Sequence, residues 1–316
     1  MEIAVVKEIA AGGKETRAIL LPGEVKRLIE EGHHVFIERG LGTRIYIPDS
    51  EYKSQGAKLL TNRKELFRKS IVVKLKPPLV REFKLLRNNL LFCMLHAEQN
   101  PQYVKMLKKA KAKAIAMELI RNRAGERLIT CCDIAGEQGM IMAFYLVKKS
   151  PAECNVLMLG YGSVATGALK VAFNLGAKVK ILRKSEYRYI RHFLRNKDIV
   201  VNAICWPKEK RDNKEYLITR DMLCLLNKGA VILDLSVDYP GPIESCHPTL
   251  IDKPSYIIDG IIHIGIFGYP GLAPISSAAR YSRQILPILL KIASVPLHRL
   301  PLYLSKALID PEKIVF

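Results

Sequence analysis

The residues Gly160-Tyr161-Gly162-Ser163-Val164-Ala165 follow an apolar run, Val156–Leu159, and open a helical pattern that closes near Gly176. A second apolar run, Ala177–Leu182, comes next. Strand, glycine-rich turn, helix and strand in that order make a βαβ unit carrying the dinucleotide fingerprint G-x-G-x-x-A. Gly160 permits the tight turn, Gly162 lets the backbone approach a pyrophosphate, and Ala165 lets helix and strand come close. Backbone N–H groups at the start of the helix, around Ser163 and Val164, are then directed at the phosphates. The second strand ends in Arg183-Lys184, where an acidic residue would normally hold the ribose hydroxyls of NAD. Two cations suit a 2′-phosphate, so NADP(H) is the expected cofactor, with NAD(H) as the alternative.

Positioning such a site takes alternating strands and helices. Glu2–Lys7 is strand-like, Pro22–Gly32 is a helix with proline at its start and glycine at its end, and Val35–Glu38 is strand-like again. Ile71–Lys76, Leu90–Leu95 and Ala112–Leu119 are further β-rich runs, with a helical LVREFKLLRN between the first two. A second series starts near Val156 and continues through Asp198–Ile204, Ala230–Ser236, Ser255–Ile261 and His263–Phe267. Between the series lies an apolar helix, Asp133–Lys148. After Pro274 comes SSAARYSRQILPILLKIA, a helix with Ser276 or Ser277 as N-cap, bent or restarted at Pro287. The expected class is α/β: two Rossmann-like domains with mainly parallel sheets, the nucleotide domain inserted into the substrate domain. The expected boundaries are residues 1–132 for the substrate domain, 133–274 for the NADP(H)-binding domain, and 275–316 for a helical segment returning to the first.

Length and composition agree with two domains. The chain has 316 residues, 49% of them hydrophobic, and no run long and clean enough to span a bilayer. Charges before any long apolar stretch mean that the N-terminus is not expected to act as a signal peptide, and seven cysteines without metal-like spacing fit a reducing cytoplasm and no metal site. Cys131-Cys132 lack a nearby histidine pair and are expected to be structural. The formal charge of +20 raises the question of nucleic acid. The basic stretches at residues 63–88 and 105–113 carry an apolar helical period, and no zinc-finger or RNA-binding motif accompanies them, which argues against a nucleic-acid partner.

The N-terminal MEIAVVKEIAAGGKETRAILLPGEVKRLIEEGHHVFIERGLG resembles the start of the alanine dehydrogenases and of the related transhydrogenase subunit. IVVKLKPPL, LLFCMLH, AIAMELI, IAGEQG, the glycine loop and KGAVILDLSVDYPGPIESCHPT follow in the family's order. The resemblance implies a cleft where hydride moves between nicotinamide and substrate, and assembly as a homo-oligomer, taken as a dimer. It implies that Arg17 holds a substrate carboxylate, a task suited to a planar guanidinium fork. By the same resemblance Lys76 lies beside the substrate carbonyl, with Lys74 the fallback on the same strand face. His96 is then the acid–base group, chemistry that needs a pKa near neutrality. Asp238 matches an aspartate near the nicotinamide and the attacking water. Glu118 is expected to support, Asp234 to brace a loop, His247 to face a loop, and His33 and His34 to be exposed.

Three departures from the family pattern bear on function. Arg183-Lys184 replaces the acidic residue after the second strand. The segment KKSPAECN before Val156 is shorter than in alanine dehydrogenases. The family's V-x-N-M-P is here IFGYPGLAP, which removes an asparagine and places Phe267, Gly268 and Tyr269 in its neighbourhood. Tyr269 is therefore expected to offer its ring and hydroxyl to a substrate larger than alanine. The leading expectation is an NADP(H)-dependent oxidoreductase acting at the α-carbon of an amino acid or its imine, by reductive amination of a 2-oxo acid. The alternatives are reductive condensation of a 2-oxo acid with an amine, as in carboxyethyl-ornithine synthase, and a non-catalytic NADP(H)-binding regulator.

Overall fold

Short Ile-, Val- and Leu-rich runs, apolar on both faces, form strands that helices must cover on either side. A computed structural model of the chain describes residues 1–9, 15–98 and 100–313. The chain divides into two compact units, one of residues 1–130 and 274–316, the other of residues 131–273.

The first unit contains β1 (Glu2–Val5), β2 (His34–Glu38), β3 (Lys58–Leu60), β4 (Ile71–Val73), β5 (Leu90–Cys93) and β6 (Lys113–Ala116). The second contains β7 (Asn155–Leu159), β8 (Lys178–Leu182), β9 (Ile199–Asn202), β10 (Val231–Asp234), β11 (Ser255–Ile258) and β12 (Ile261–Ile264). A last strand, β13 (Leu308–Ile309), returns to the first unit and pairs antiparallel with β6. The first sheet has the order β13-β6-β5-β4-β1-β2-β3, parallel except for β13. Its winding reverses between β1 and β4, with Ile3 opposite Ile71. The second sheet, β11-β12-β10-β9-β7-β8, reverses between β7 and β9, with Val156 opposite Ile199. In doubly wound sheets, ligands bind beyond the carboxyl ends of the strands at such reversals. Each sheet thus marks one place for chemistry.

Within the second unit, the helix Cys132–Val147 packs on the helix Ser163–Asn174 with almost no separation. A Cβ at Gly136 would lie 2.0 Å from the Val164 carbonyl oxygen, and one at Gly167 would lie 1.9 Å from that of Asp133. Only glycine permits this crossing. In the first unit, the helix Pro274–Ser294 is tied to the start of the helix Pro22–Glu30: Ser282 Oγ accepts from Leu21 N–H at 2.8 Å and donates to Glu24 at 2.7 Å.

Several local expectations need correction. The helix after Ala273 begins at Pro274, so Ser276 and Ser277 lie inside its first turn, and it runs unbroken through Pro287. LVREFKLLRN forms only a short helix, Val80–Phe83. The last two strands of the second unit stop and start around Asp259-Gly260, both at positive φ (50° and 78°), the two-residue turn that joins an antiparallel hairpin. No helix among the described residues is long and apolar enough to cross a membrane.

Candidate active site

At the reversal of the first sheet, the chain leaving β1 meets the chain leaving β4. Glu8 lies just past β1 and is 7% exposed. Its carboxylate accepts from Lys74 Nζ at 2.9 Å, Leu75 N–H at 2.8 Å and Lys76 N–H at 3.4 Å. Lys74 is 1% exposed and committed to this pair, with the Glu82 carboxylate 4.0 Å away. Arg63 in turn binds both Glu82 and Glu38. Breaking one member of such a buried network leaves an uncompensated charge, at about 3–5 kcal/mol. The network therefore fixes the backbone from which Lys76 projects, and Lys74 has no part to play as the alternative group.

Lys76 is half-buried, and burial lowers its pKa; the Arg17 guanidinium lowers it further, while Glu15 and Glu8 oppose the shift. Arg17 is buried, with Nε 2.6 Å and Nη2 2.5 Å from the two oxygens of Glu15. Its guanidinium carbon lies 5.7 Å from the centre of the Tyr281 ring. A carboxylate already seated on the fork demonstrates the geometry that a substrate carboxylate would need. Burial raises the Glu15 pKa, but the hydrogen bonds from Arg17 and its charge outweigh this and lower it overall.

His96 lies beyond β5 in the left-handed region, at φ 51°, strained for a residue with a Cβ. Glu118 holds it there: one carboxylate oxygen accepts from His96 N–H at 2.7 Å and the other from Leu95 N–H at 3.0 Å. Burial lowers the imidazole pKa, the Glu118 charge raises it, and Lys76 and Arg127 lower it. Arg17, Lys76 and His96 thus form one electrostatic group, each acting on the next. Arg127, which lies in a stretch with no strand or helix signal, escaped the sequence reading.

In the second unit, the glycine loop stands at the reversal beyond β7. Gly160 has φ 94°, and a Cβ there would meet Ile204 Cγ2 at 2.7 Å and the Ala203 carbonyl at 2.8 Å. Gly162 is the opposite case, with nothing within 4 Å of an added Cβ. It precedes the helix Ser163–Asn174, whose ladder starts with Thr166 N–H donating to the Gly162 carbonyl at 3.0 Å. The N–H groups of Ser163, Val164 and Ala165 come before that ladder. Open space beside Gly162 and undirected helix N–H groups fit a pyrophosphate. Arg183 and Lys184 follow β8 with exposed side chains, while Arg183 N–H donates to Glu186 at 2.8 Å. Lys180 holds the other Glu186 oxygen at 2.8 Å, so this carboxylate is engaged and its pKa lowered.

Beyond β10, Asp234 is 3% exposed and braces a loop. Its Oδ1 accepts from Asn202 Nδ2 at 2.8 Å, Ser236 N–H at 3.1 Å and Val237 N–H at 3.0 Å. Val237, β-branched and at φ 54°, needs that support. Desolvation raises the Asp234 pKa to about 6 against these bonds. Asp238, at the end of the same loop, accepts from Trp206 N–H at 3.3 Å and from Arg211 Nη1 at 3.4 Å. It belongs to the second unit, whereas Arg17, Lys76 and His96 belong to the first. His247 is exposed and stacks on Tyr256 with ring centres 3.7 Å apart.

Tyr269 is not a substrate-binding residue. It is 2% exposed, and its hydroxyl donates to the carbonyls of Asp234 at 2.8 Å and Ile264 at 3.2 Å. A ring packed against Gly139 inside the core of the second unit cannot stack on a ligand. The neighbour that reaches the surface is Phe267, 58% exposed, followed by Gly268 at φ 109°.

Residues 4–135 match the profile of the alanine dehydrogenase/PNT N-terminal domain, and residues 182–302 that of the C-terminal domain. The chain belongs to the alanine dehydrogenase/PNT family. An alanine dehydrogenase from Methanococcus maripaludis is 31% identical, over 93% of this chain and 88% of that one. Alanine dehydrogenase 1 from Staphylococcus aureus is 28% identical, over 92% and 87%. A solved L-alanine dehydrogenase superposes with a TM-score of 0.88 at 28% identity, covering 98% of this chain and 94% of the other. The transhydrogenase from Sinorhizobium meliloti shares the fold, with a TM-score of 0.81 at 21% identity over 93% and 94%.

Proposed function

We propose that this family member is an NADP(H)-preferring oxidoreductase that interconverts a 2-oxo acid and an amino acid other than alanine, as a cytoplasmic dimer. The observation that carries the proposal is the electrostatic grouping of Arg17, Lys76 and His96 at the reversal of the first sheet. Arg17 would bind the substrate carboxylate, exchanging Glu15 for it. Lys76 would donate to the 2-oxo oxygen, polarising the carbonyl. His96, uncharged at neutral pH because its pKa is lowered, would take up and return the protons that accompany loss of water. Asp238 would orient ammonia or water. Gly160, Gly162, Ser163, Val164 and Ala165 would hold the pyrophosphate, and Arg183 with Lys184 the 2′-phosphate. The bound nicotinamide supplies the hydride. Alanine is disfavoured because the family's asparagine segment is replaced by Phe267-Gly268, with Tyr269 turned into the core.

The test is oxidation of NADPH and NADH, followed at the nicotinamide absorbance, with 2-oxo acids of increasing size plus ammonia or an amine. Turnover that prefers NADPH and a 2-oxo acid larger than pyruvate is expected. Pyruvate with ammonia as the best pair would return the chain to ordinary alanine dehydrogenation. Tight NADPH binding without any turnover would favour a regulator.

A further inference from the structure

The two basic stretches, residues 63–88 and 105–113, have no part in the proposed function. The first unit brings them together. The helix Val80–Phe83 lies beside the helix Gln102–Lys109, with the Phe83 and Tyr103 rings stacked at 5.2 Å between centres. Between the two helices is a cavity of about 430 Å³, inside the roughly 300–1,000 Å³ typical of small-molecule sites. Val80, Phe83 and Met106 give it apolar walls, and Lys84, Arg87 and Lys109 bring three cations to it.

These cations are not neutralised from within the protein. Among the described residues none of the three pairs with a carboxylate. Arg87 Nη1 donates to the Leu86 carbonyl, a neutral acceptor, at 3.1 Å. Glu82, the carboxylate of the first helix, is 2% exposed and committed to Arg63 and Lys74. Glu98, ahead of the second helix, pairs with none of them. Three like charges around one cavity repel, and an anion entering it relieves all three. A bare inorganic anion would leave the apolar walls wet: Val80 is 56% exposed, and an apolar body laid against it would release water. A second copy of this chain is a poor occupant, because a two-fold contact centred here would face the three cations with three more.

We propose that this cavity binds a small organic anion with an apolar body, of the class of aryl or acyl phosphates. The phosphate would sit among Lys84, Arg87 and Lys109, and the body against Val80, Phe83 and Met106. This site is independent of the reading given to Arg17, Lys76 and His96. The two places nonetheless share one helix: Glu82, next to Phe83, belongs to the buried network that fixes the backbone of Lys76.

The test is calorimetric titration of the full chain with 1-naphthyl phosphate, alongside 1-naphthol and inorganic phosphate as the body and the charge alone. The ester is expected to bind saturably, at least about tenfold more tightly than either part. Lys84→Gln, Arg87→Gln and Lys109→Gln are each expected to weaken it about two- to fivefold, the range for exposed ion pairs, and the three together about 10- to 100-fold. Val80→Glu, which sets a carboxylate among the cations, is expected to weaken it as well. All four side chains are exposed, so the variants should fold, and circular dichroism checks this. No saturable binding of the ester, inorganic phosphate binding as tightly as the ester, or unchanged affinity in the triple variant overturns the proposal. Binding to phosphatidylglycerol vesicles that the triple variant loses, with no binding of the ester, also overturns it and makes this face a membrane-binding surface.

Discussion

Asp234→Asn separates the cost of a buried charge from the hydrogen bonds that surround it. The carboxamide oxygen can still accept from Asn202, Ser236 and Val237, so the loop that ends in Asp238 keeps its braces. The charge does not survive the change. In the folded protein the Asp234 pKa rises from 3.8 to about 6 because burial penalises the carboxylate. A raised carboxyl pKa means that the unfolded chain ionises first. The wild-type protein is therefore penalised progressively as the pH climbs from about 4 to about 6, and the penalty is constant above that. The full effect is of the order of 3 kcal/mol at 1.36 kcal/mol per pKa unit, and about 2 kcal/mol falls between pH 4.5 and 7.5. Other titrating groups cancel in the difference between the two proteins. Urea unfolding of both proteins at each pH should show Asp234→Asn gaining about 2 kcal/mol relative to wild type between pH 4.5 and 7.5. A difference that is flat with pH, or that moves in favour of aspartate, would refute the assignment of a raised pKa to this residue.

Arg183→Ala should weaken NADPH about 10- to 100-fold through the loss of one charge-assisted phosphate contact, with NADH affected far less; fluorescence titration of both cofactors checks this. His96→Ala should lower turnover about 10²- to 10⁴-fold at nearly constant cofactor affinity, and near-full activity would make His96 structural. In the wild type, the acidic limb of the kcat/KM profile for amino-acid oxidation should fall below 6.5, because His96 has a lowered pKa and must be unprotonated to act as a base. Gly167→Ala should destabilise by at least about 1–3 kcal/mol despite alanine's better helix propensity, since its Cβ would meet the Asp133 carbonyl at 1.9 Å; a melting temperature at or above wild type would show that the two helices can separate freely.

The parts of the fold visible in the sequence were those with a strong local cause. The glycine turn at Gly160, the apolar strands on either side of it and the long helix before it all follow from periodicity and special backbone positions. The hairpin at Asp259-Gly260 was also available, because Asp-Gly is a strong turn signal. It was hidden by the unbroken isoleucine-rich run on either side, which reads as strand right through the turn. Strand β13 has two residues and depends on β6 alone, so no local pattern could mark it. The site divides in the same way. Arg17, Lys76 and His96 are set by short motifs, but what surrounds them is not local. Glu8 reaches Lys74 across 66 residues of sequence, and Glu118 reaches His96 across 22. Tyr269 failed for a related reason: an aromatic residue in a glycine- and proline-rich loop suggests exposure, and nothing in the sequence indicates that its hydroxyl meets the Asp234 carbonyl.

Transfer of a label from cofactor to product bears most directly on the claim that hydride moves to the α-carbon of an amino acid. The protein would be supplied with NADPH deuterated at either face of C4, ammonia and the best 2-oxo acid, and the amino acid analysed by mass spectrometry and proton NMR. Deuterium from one face only, located at the α-carbon, is the expected result. An amino acid formed without deuterium from either cofactor, or label found anywhere other than the α-carbon, would contradict it.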